Sequence, residues 1–544
     1  MDRVSASGAE ERSSSLRGGA IYFPPKAIVL NQKVSSKRDV FHSFRIVFTH
    51  LFVQEKDPRY IYLFLGIITL IGLALRLFVI NSPIGYDEAY TFIYFASKPF
   101  KYILADYHAP NNHILNSILI GISYRILGNH IWIVRLPALI AGVLGIPAVY
   151  FTARRFFTRE QALAASAILA VSSSLINDAA NGRGYTLVAL FSLLLANFAG
   201  ILVTHQSRPA LIAYAITGAL GFYTIPIFLY PMAGISLWVA ITYLTESDSW
   251  RNRFIKLGIF LGTCVASGIL TLILYSPVII FGTGFQSIVS NDIVKSLTWF
   301  KFTENFNHRI LQTWGAWMLQ LNPAARYLLD AGFLISVFLY RKVSSQRIPM
   351  QLALLLAVFI LVLLQKLTPL PRIWSYLEMF YLFFAAVGLT WVGNQLVRRS
   401  LNYPATEKVL TTVILLTVLL IFANVTLSIF SKKAIADRTV KPEQLAAEYL
   451  ANHITPQDTV VSIAPVDMRT AYYLKINNVP YDVFYQRDNP VEIQNAIVLV
   501  RKTENYDTPQ KVLDFFKLTN NLNMELAKVV FEYGPLQVYS IPAK

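Results

Sequence analysis

The chain has 544 residues, of which 55% are hydrophobic and 15% are charged, and its mean hydropathy is +0.47. A soluble protein of this length needs more polar surface, so the composition indicates a polytopic membrane protein. The formal net charge of +17 does not indicate nucleic-acid binding, because the basic residues are spread over short connectors between apolar runs. The single cysteine, Cys264, excludes a disulfide framework or a thiolate metal cluster within the chain.

The N-terminal segment, residues 1–59, is polar, rich in serine and mixed in charge. It has no early apolar core of the kind that a cleaved signal peptide requires. We therefore predict a largely disordered cytoplasmic tail.

Apolar stretches close to the ~20 residues needed to cross a bilayer recur between residues 60 and 430, which we predict to be the transmembrane domain. Every second connector between them is basic, and the positive-inside rule places those connectors in the cytoplasm. This alternation predicts about eleven crossings. They lie at 60–81, 131–151, 161–176, 185–204, 210–225, 227–244, 254–281, 327–340, 349–365, 373–397 and 409–430.

The apolar segment 114–127 does not fit this alternation, and ~14 residues are short for a crossing. We predict a juxtamembrane or partly inserted helix at the outer interface. Three pieces then lie on the extracytoplasmic side: the loop 82–130, the loop 282–325 and the C-terminal part 431–544.

The C-terminal part reads as a small α/β domain, because helical and strand-like patterns alternate along it. The helices are predicted at 443–452 and 467–475, and the strands at 459–464 and 496–500. The predicted fold class is therefore a polytopic α-helical membrane protein with extracytoplasmic juxtamembrane helices and a small extracytoplasmic α/β domain.

The chain contains no Gly-rich phosphate loop, no HExxH and no GxSxG nucleophile elbow. Its most informative feature is the adjacent pair Asp87 and Glu88, a few residues beyond the first predicted span. A solvated helix N-terminus beside the interface is the alternative interpretation, since acidic residues favour that position.

Further polar residues fall on the same predicted face of the membrane. Arg135 opens the second predicted span and is expected to be an interface anchor more than a ligand contact. The candidates for substrate binding are His108, Asn111, Asn112, His113, Arg183, Tyr185, His308, Arg309 and Arg372.

Several short motifs together resemble the membrane glycosyltransferases of the GT-C fold, especially the protein mannosyltransferase, aminoarabinose transferase and galacturonosyltransferase-like branch. They are Tyr86-Asp87-Glu88, His108-Ala109-Pro110-Asn111-Asn112-His113, Arg135-Leu136-Pro137, Ala153-Arg154-Arg155-Phe156-Phe157 and Gly182-Arg183-Gly184-Tyr185. The resemblance implies sugar transfer from a polyprenyl-phosphate-linked donor on the extracytoplasmic face, with Asp87 as general base. One departure concerns the motif at His108, where many relatives have His-Pro-Pro, and this leaves the sugar and the acceptor undetermined.

The chemistry of such a transfer needs a base for the acceptor hydroxyl and cations for the departing phosphate. Asp87 is the candidate base, and Glu88 is expected to orient the acceptor or support Asp87, since adjacent backbone positions need not aim at one atom. Arg183 and Arg372 are the candidates for the donor phosphate, and Arg183 is favoured because its glycine neighbours let the backbone approach a ligand. Snorkelling towards lipid headgroups is the alternative role of both arginines.

A divalent cation is a second hypothesis for the outer loop, because Asp87, His108 and His113 offer oxygen and nitrogen ligands. Ordinary hydrogen bonding is the alternative for both histidines. His308 and Arg309 lie near Trp314 and Trp317, so they either meet substrate or belong to the aromatic belt.

Two competing functions share the apolar layout. A secondary transporter or lipid flippase would place ionisable groups and broken helices near mid-membrane, with an internal repeat. A non-catalytic scaffold would tolerate loss of Asp87. The N-x-S/T sequon at Asn424 falls in a predicted span, which favours a bacterial plasma membrane. The expected partners are the bilayer, the lipid-linked donor and a lipid, polysaccharide or protein acceptor.

Overall fold

A computed structural model describes residues 49, 51–52, 57–289, 296–319, 321–400, 441–487 and 490–544, with side chains in the helix that ends at residue 400 described as far as residue 396. The chain divides into two units, Met1–Val47 and Phe48–Lys544, and the second is described here. The predicted tail 1–59 lies almost wholly outside the described residues. The eleventh predicted span, 409–430, and the sequon at Asn424 also lie outside them.

Seventeen helices are described between residues 59 and 400, and the turn Phe92–Ala96, which is π-helical, continues the second of them. In chain order they are α1 Arg59–Val79, α2 Tyr86–Thr91, α3 Phe100–Ala105, α4 Ile114–Leu127, α5 Ile131–Arg154, α6 Arg159–Val171, α7 Ser173–Ala179, α8 Tyr185–Thr204, α9 Arg208–Thr224, α10 Leu229–Thr245, α11 Trp250–Ser276, α12 Phe285–Val289, α13 Trp299–Met318, α14 Pro323–Phe338, α15 Tyr340–Val343, α16 Met350–Gln365 and α17 Ser375–Ser400.

Six of these helical segments are long and apolar enough to cross a membrane, and α6 with α7 forms a seventh if that pair, bent by 63°, counts as one span. The chain is therefore an integral membrane protein. Each of the first ten predicted spans contains a helix, but α9, α14 and α16 have only 17, 16 and 16 residues. The predicted number of eleven crossings accordingly stays a prediction.

Small residues set the distance between neighbouring helices in the membrane part. On α6 the alanines between positions 162 and 170 are all buried, and Gly332 of α14 faces Gly388 of α17. A Cβ built on Gly388 would meet the Gly332 carbonyl oxygen at 1.9 Å. Close approach of this kind is typical of helices packed within a bilayer, where van der Waals contact drives association.

The segment 114–127 forms the 14-residue helix α4, as predicted. It packs beside α5, and its buried face includes Asn116, whose amide donates to the Gly182 carbonyl oxygen at 3.0 Å. This contact ties the first outer loop to the connector between α7 and α8.

The C-terminal part forms a four-stranded sheet flanked by helices, and all four of its predicted elements are present. The sheet order is β1-β2-β4-β3, with β1 and β2 parallel and the other pairs antiparallel. Its elements are α18 Pro442–His453, β1 Asp458–Val461, α19 Val466–Ile476, β2 Asn495–Arg501, α20 Pro509–Phe516, β3 Lys528–Tyr533 and β4 Leu536–Pro542.

Helix α19 joins this sheet to the first outer loop through one apolar core. Tyr472 packs edge-to-face against Phe92, with ring centroids 5.2 Å apart, and the Tyr473 hydroxyl accepts a hydrogen bond from the Ile84 amide at 3.1 Å. The C-terminal part therefore covers the helix that carries Asp87 and Glu88.

Candidate active site

Helix α2 begins beside the end of α1 and directs its two acidic residues to different places. Glu88 reaches back to accept a hydrogen bond from the Gly85 amide at 2.6 Å, which closes the first turn of the helix. Successive residues of a helix point about 100° apart, so Asp87 faces elsewhere. The helix-terminus role considered for the pair thus applies to Glu88.

The Glu88 carboxylate is fully occupied by protein donors. Arg135 of α5 contacts both of its oxygens, at 3.0 Å through Nε and more closely through Nη2, and the Gly182 amide donates to Oε2 at 2.8 Å. Both side chains of this pair are 3% exposed. A buried carboxylate with every acceptor site filled holds structure, so Glu88 is placed to position its neighbours.

Arg135 was expected at the membrane interface, and the structure instead buries it. Besides Glu88, its guanidinium donates to the backbone oxygens of Ile80, Ser82 and Pro83. It therefore fixes the turn that leads from α1 into α2, and with it the position of Asp87.

Asp87 is the carboxylate that reaches the surface of the loop 82–130. Its side chain is 25% exposed and forms an ion pair with Arg372, which is 47% exposed. The Asn111 amide lies 3.5 Å from the other oxygen of Asp87. Arg372 belongs to the helical turn Pro371–Trp374 before α17, so residues 285 positions apart in sequence meet here.

Arg183 lies beneath this carboxylate, and its side chain is buried. Its Nη1 donates to the Thr91 hydroxyl at 2.8 Å, to the Asn111 carbonyl oxygen at 3.1 Å and to the Asp87 carbonyl oxygen at 3.4 Å. One guanidinium thus holds α2 and the Asn111 segment together, while its buried Nε has no hydrogen-bond partner among the described residues.

His113 completes the inner layer of the site. Its Nδ1 accepts the Gly184 amide at 2.8 Å, so its Nε2 carries the proton, and this nitrogen lies 3.1 Å from Arg183 Nη2. Burial lowers the pKa of His113 well below its usual range, and the charges of Arg183 and Arg372 lower it further. The imidazole is therefore neutral, and two N–H donors face each other. Tyr185 packs edge-on against His113 at 5.2 Å.

His108 belongs to a separate, more exposed group. Its Nδ1 contacts Asp106 Oδ1 at 2.7 Å and its Nε2 contacts the Tyr90 hydroxyl at 3.1 Å. Burial opposes ionisation of Asp106, but hydrogen bonds from the His108 side chain and backbone outweigh it and lower the pKa of Asp106. Asn112 is buried, and its amide donates to the carbonyl oxygens of Ile103 and Asp106, so it fastens the loop.

The structure does not assemble the three side chains that were considered for a metal. Nδ1 of His113 accepts the Gly184 amide and its Nε2 faces Arg183, whereas His108 contacts Asp106 and Tyr90. Within the ranges that the structure describes, no group of three or more His, Cys, Asp or Glu side chains is placed to hold a metal ion.

His308 and Arg309 lie on α13, a helix that contacts the turn Pro371–Trp374. His308 is exposed, and Arg309 donates to Gln312 of the same helix at 2.5 Å. Across the described residues, no hydrogen bond or ion pair joins either of them to Asp87. Their role in substrate binding stays a prediction.

Residues 111–281 match the family model described as dolichyl-phosphate-mannose-protein mannosyltransferase. No curated protein sequence matches the chain.

Among solved structures, the chain is similar to ArnT from Cupriavidus metallidurans in the apo state, with a TM-score of 0.58 and 14% identity over 88% of this chain and 97% of that one. It is equally similar to the same protein bound to undecaprenyl phosphate, with a TM-score of 0.57 and 14% identity over 88% and 98%. The predicted resemblance to GT-C glycosyltransferases is confirmed, and at this identity the structural likeness concerns the fold.

Proposed function

We propose that this protein is a glycosyltransferase that moves a sugar from a polyprenyl-phosphate-linked donor to an acceptor hydroxyl on the extracytoplasmic face of the membrane, with Asp87 as general base. One observation carries the proposal: a partly exposed carboxylate, Asp87, is held at the outer loop by a buried scaffold and paired with a half-exposed arginine, Arg372. That combination supplies the base and the cation that the reaction needs.

The donor class is supported by two independent likenesses. The family model that matches residues 111–281 carries a dolichyl-phosphate sugar in its description, and ArnT, which shares the fold, is known bound to undecaprenyl phosphate. Dolichyl and undecaprenyl phosphates share a phosphate on a long isoprenoid chain. We propose the same chemistry for the donor of this protein.

The transfer is a displacement at the anomeric carbon of the donor. Asp87 accepts the proton of the acceptor hydroxyl as its oxygen forms a bond to that carbon. The bond between the anomeric carbon and the phosphate oxygen breaks, and its electron pair leaves with the polyprenyl phosphate. The leaving group gains negative charge, so a guanidinium beside it stabilises the transition state more than the ground state.

Arg372 is the better placed of the two arginines for that task. It is half-exposed on a short turn, whereas Arg183 is buried and uses Nη1 on three oxygens. This reverses the order of preference that the sequence favoured. When the donor phosphate enters, Arg372 can turn from Asp87 to the phosphate, which frees the carboxylate to act as a base.

The inner layer positions these two groups. Glu88 and Arg135 fix the start of α2, and Arg183 fixes Asn111 against the same helix. Arg183 and His113 also present donors that face each other, and a phosphate oxygen reaching this layer would satisfy both. We retain Asn111, His113, Arg183 and Tyr185 as binding or positioning residues on that basis.

The side of the membrane and the compartment belong to the same proposal. The basic connectors place the loop that carries Asp87 on the extracytoplasmic side, and the chain is proposed to lie in a bacterial plasma membrane. The acceptor is a hydroxyl of a lipid, a polysaccharide or a protein. We also propose that residues 60–430 form the transmembrane domain and residues 431–544 an extracytoplasmic domain.

Vesicles of defined orientation test both the reaction and its face. Purified protein is reconstituted into liposomes, and release of polyprenyl phosphate from a panel of polyprenyl-phosphate sugars is measured with a membrane extract as acceptor. Vesicles with the Asp87 loop outward should consume one donor from the outside, and vesicles of the opposite orientation should not. Movement of donor across the bilayer without its consumption would favour a flippase instead.

A further inference from the structure

Beside Asp87, helix α2 and the π-helical turn that continues it carry a row of tyrosines that the proposed reaction has not used. Tyr86, Tyr90 and Tyr94 are spaced four residues apart and share one face, with the Tyr90 and Tyr94 ring centroids 4.5 Å apart and tilted by 32°. Tyr481 of the C-terminal part extends the row, and its hydroxyl lies 2.8 Å from that of Tyr94. We call these four residues the tyrosine ledge.

A carboxylate of the C-terminal part lies on α19, the helix that packs against α2. Asp467, in the first turn of α19, has a buried Oδ1 with no hydrogen-bond partner among the described residues. Burial raises the pKa of Tyr86, and the nearby charge of Asp467 raises it further. Asp467 also contributes to the raised pKa of Tyr90, after burial, Tyr94 and Asp106, and to that of Tyr481, after burial and Tyr94. The carboxylate therefore lies within electrostatic reach of Tyr86, Tyr90 and Tyr481.

On its other side the ledge meets the exposed pair of His108 and Asp106, through the contact between His108 and the Tyr90 hydroxyl. The charged groups that face the tyrosines are thus carboxylates and one histidine. Lys475 lies two turns further along α19 and faces Lys98 and Asp482. An anionic ligand on the ledge would meet the negative charges of Asp467 and Asp106, which disfavours a phosphate.

The ledge lies next to the proposed base. Tyr90 follows Asp87 by three residues on one helix, a spacing that places two side chains about 5–6 Å apart at Cβ. That distance is about the width of one sugar ring. A ring stacked on Tyr90 could thus present a hydroxyl to Asp87.

From this arrangement we propose that the tyrosine ledge binds a neutral carbohydrate ring of the acceptor, with Asp467 accepting a hydrogen bond from one of its hydroxyls. The inference rests on the proposed glycosyl transfer and specifies its acceptor as a glycan or glycolipid. Tyrosine supplies a flat apolar face together with a hydroxyl, and the buried oxygen of Asp467 is an acceptor that lacks a donor. The C-terminal part would then select the acceptor, while the membrane part binds the donor.

Binding of neutral sugars to the intact protein in detergent tests this proposal. The probes are the methyl glycosides of mannose, galactose and N-acetylglucosamine, with glycerol 3-phosphate and an N-acetylated serine peptide as probes of the competing classes, all followed by saturation-transfer NMR. We expect a signal from at least one glycoside. It should fall roughly fivefold or more in Tyr90→Leu and in Asp467→Asn, the effect of one lost stacking or hydrogen-bonding contact.

Two matched variants far from the ledge serve as controls. Tyr533→Leu removes an exposed tyrosine of β3, and Asp507→Asn removes an exposed carboxylate beside Lys511. Both should keep the glycoside signal. The melting temperature of each variant shows whether it is folded. If Tyr90→Leu unfolds the loop, Asp467→Asn still tests the proposal, because this substitution changes the side-chain volume little.

A signal that persists in both ledge variants, or no glycoside signal in the wild type, would overturn the proposal. A stronger signal from glycerol 3-phosphate or from the peptide, lost in the same variants, would assign the ledge to an anionic or a protein acceptor instead. Binding of undecaprenyl phosphate to the same samples distinguishes failure of the acceptor proposal from failure of the proposed donor chemistry. If the wild type binds this lipid but no glycoside, only the ledge is refuted; if it binds neither, the proposed donor chemistry fails as well.

Discussion

The buried pair of Glu88 and Arg135 should be the most sensitive support of the site. In Glu88→Gln the shape of the side chain is kept, but one carboxylate oxygen becomes an amide that donates towards groups that are themselves donors. Arg135, which is buried, then keeps its charge without a counterion. Removing one partner of such a pair costs about 3–5 kcal/mol, because the remaining charge is desolvated and unpaired.

The assay is thermal unfolding in detergent, followed by intrinsic fluorescence. At about 2 °C per kcal/mol, the lower end of the ~2–4 °C found for domains of 150–250 residues, the melting temperature should fall by about 6–10 °C. Glu532→Gln is the control, since it removes a carboxylate of an exposed ion pair with Lys502 and should leave melting unchanged. If Glu88→Gln has the same melting temperature as the wild type, the pair of Glu88 and Arg135 does not stabilise the start of α2, and the positioning role assigned to it is wrong.

Three further predictions concern other parts of the site. Arg372→Gln should raise the KM for the donor and lower kcat, because it removes the cation proposed for the phosphate, whereas Arg326→Gln on α14 should change neither. Gly182→Ala should lower the melting temperature, because its Cβ would lie 2.8 Å from Val134 and 3.3 Å from Glu88, while Gly66→Ala has open space and should be neutral or stabilising. Burial raises the pKa of Asp467 from 3.8 to about 6, so the folded protein binds this proton more readily than the unfolded chain. The resulting stability is complete below about pH 4 and is lost as the pH rises through 6. Between pH 4 and 7 the melting temperature should therefore change less with pH in Asp467→Asn than in the wild type.

Local pattern was enough to predict the elements of this fold. Apolar length located a helix in each of the first ten predicted spans, and periodicity located α18, β1, α19 and β2 of the C-terminal part. The same signal does not give the number of full crossings, since α9, α14 and α16 have only 17, 16 and 16 residues.

The site could be predicted only in part, for a physical reason. The sequence shows that Asp87 and Glu88 lie beyond the first span, but it does not show which direction each side chain takes. Arg135 is 47 residues from Glu88, and Arg372 is 285 residues from Asp87. Those pairings arise from helix packing, as does the burial of Arg183, which the sequence favoured for the donor phosphate because of its glycine neighbours.

The tyrosine ledge shows the same limit. Its first three members are visible in the sequence as tyrosines spaced four residues apart, on α2 and the π-helical turn after it. Tyr481 and Asp467 come more than 370 residues later, and only the docking of α19 on the outer loop brings them to the row. A pattern search along the chain finds the tyrosines without a reason to call them a binding surface.

Kinetics of Asp87→Asn test the central claim most directly. The donor that the wild type consumes is supplied at saturating concentration, and its binding is measured beside the rate of polyprenyl phosphate release. Loss of the base should lower kcat by about 10²–10⁴-fold, while the variant still binds donor and melts as a folded protein. A variant that turns over at the wild-type rate would show that Asp87 is not the base and would contradict this account.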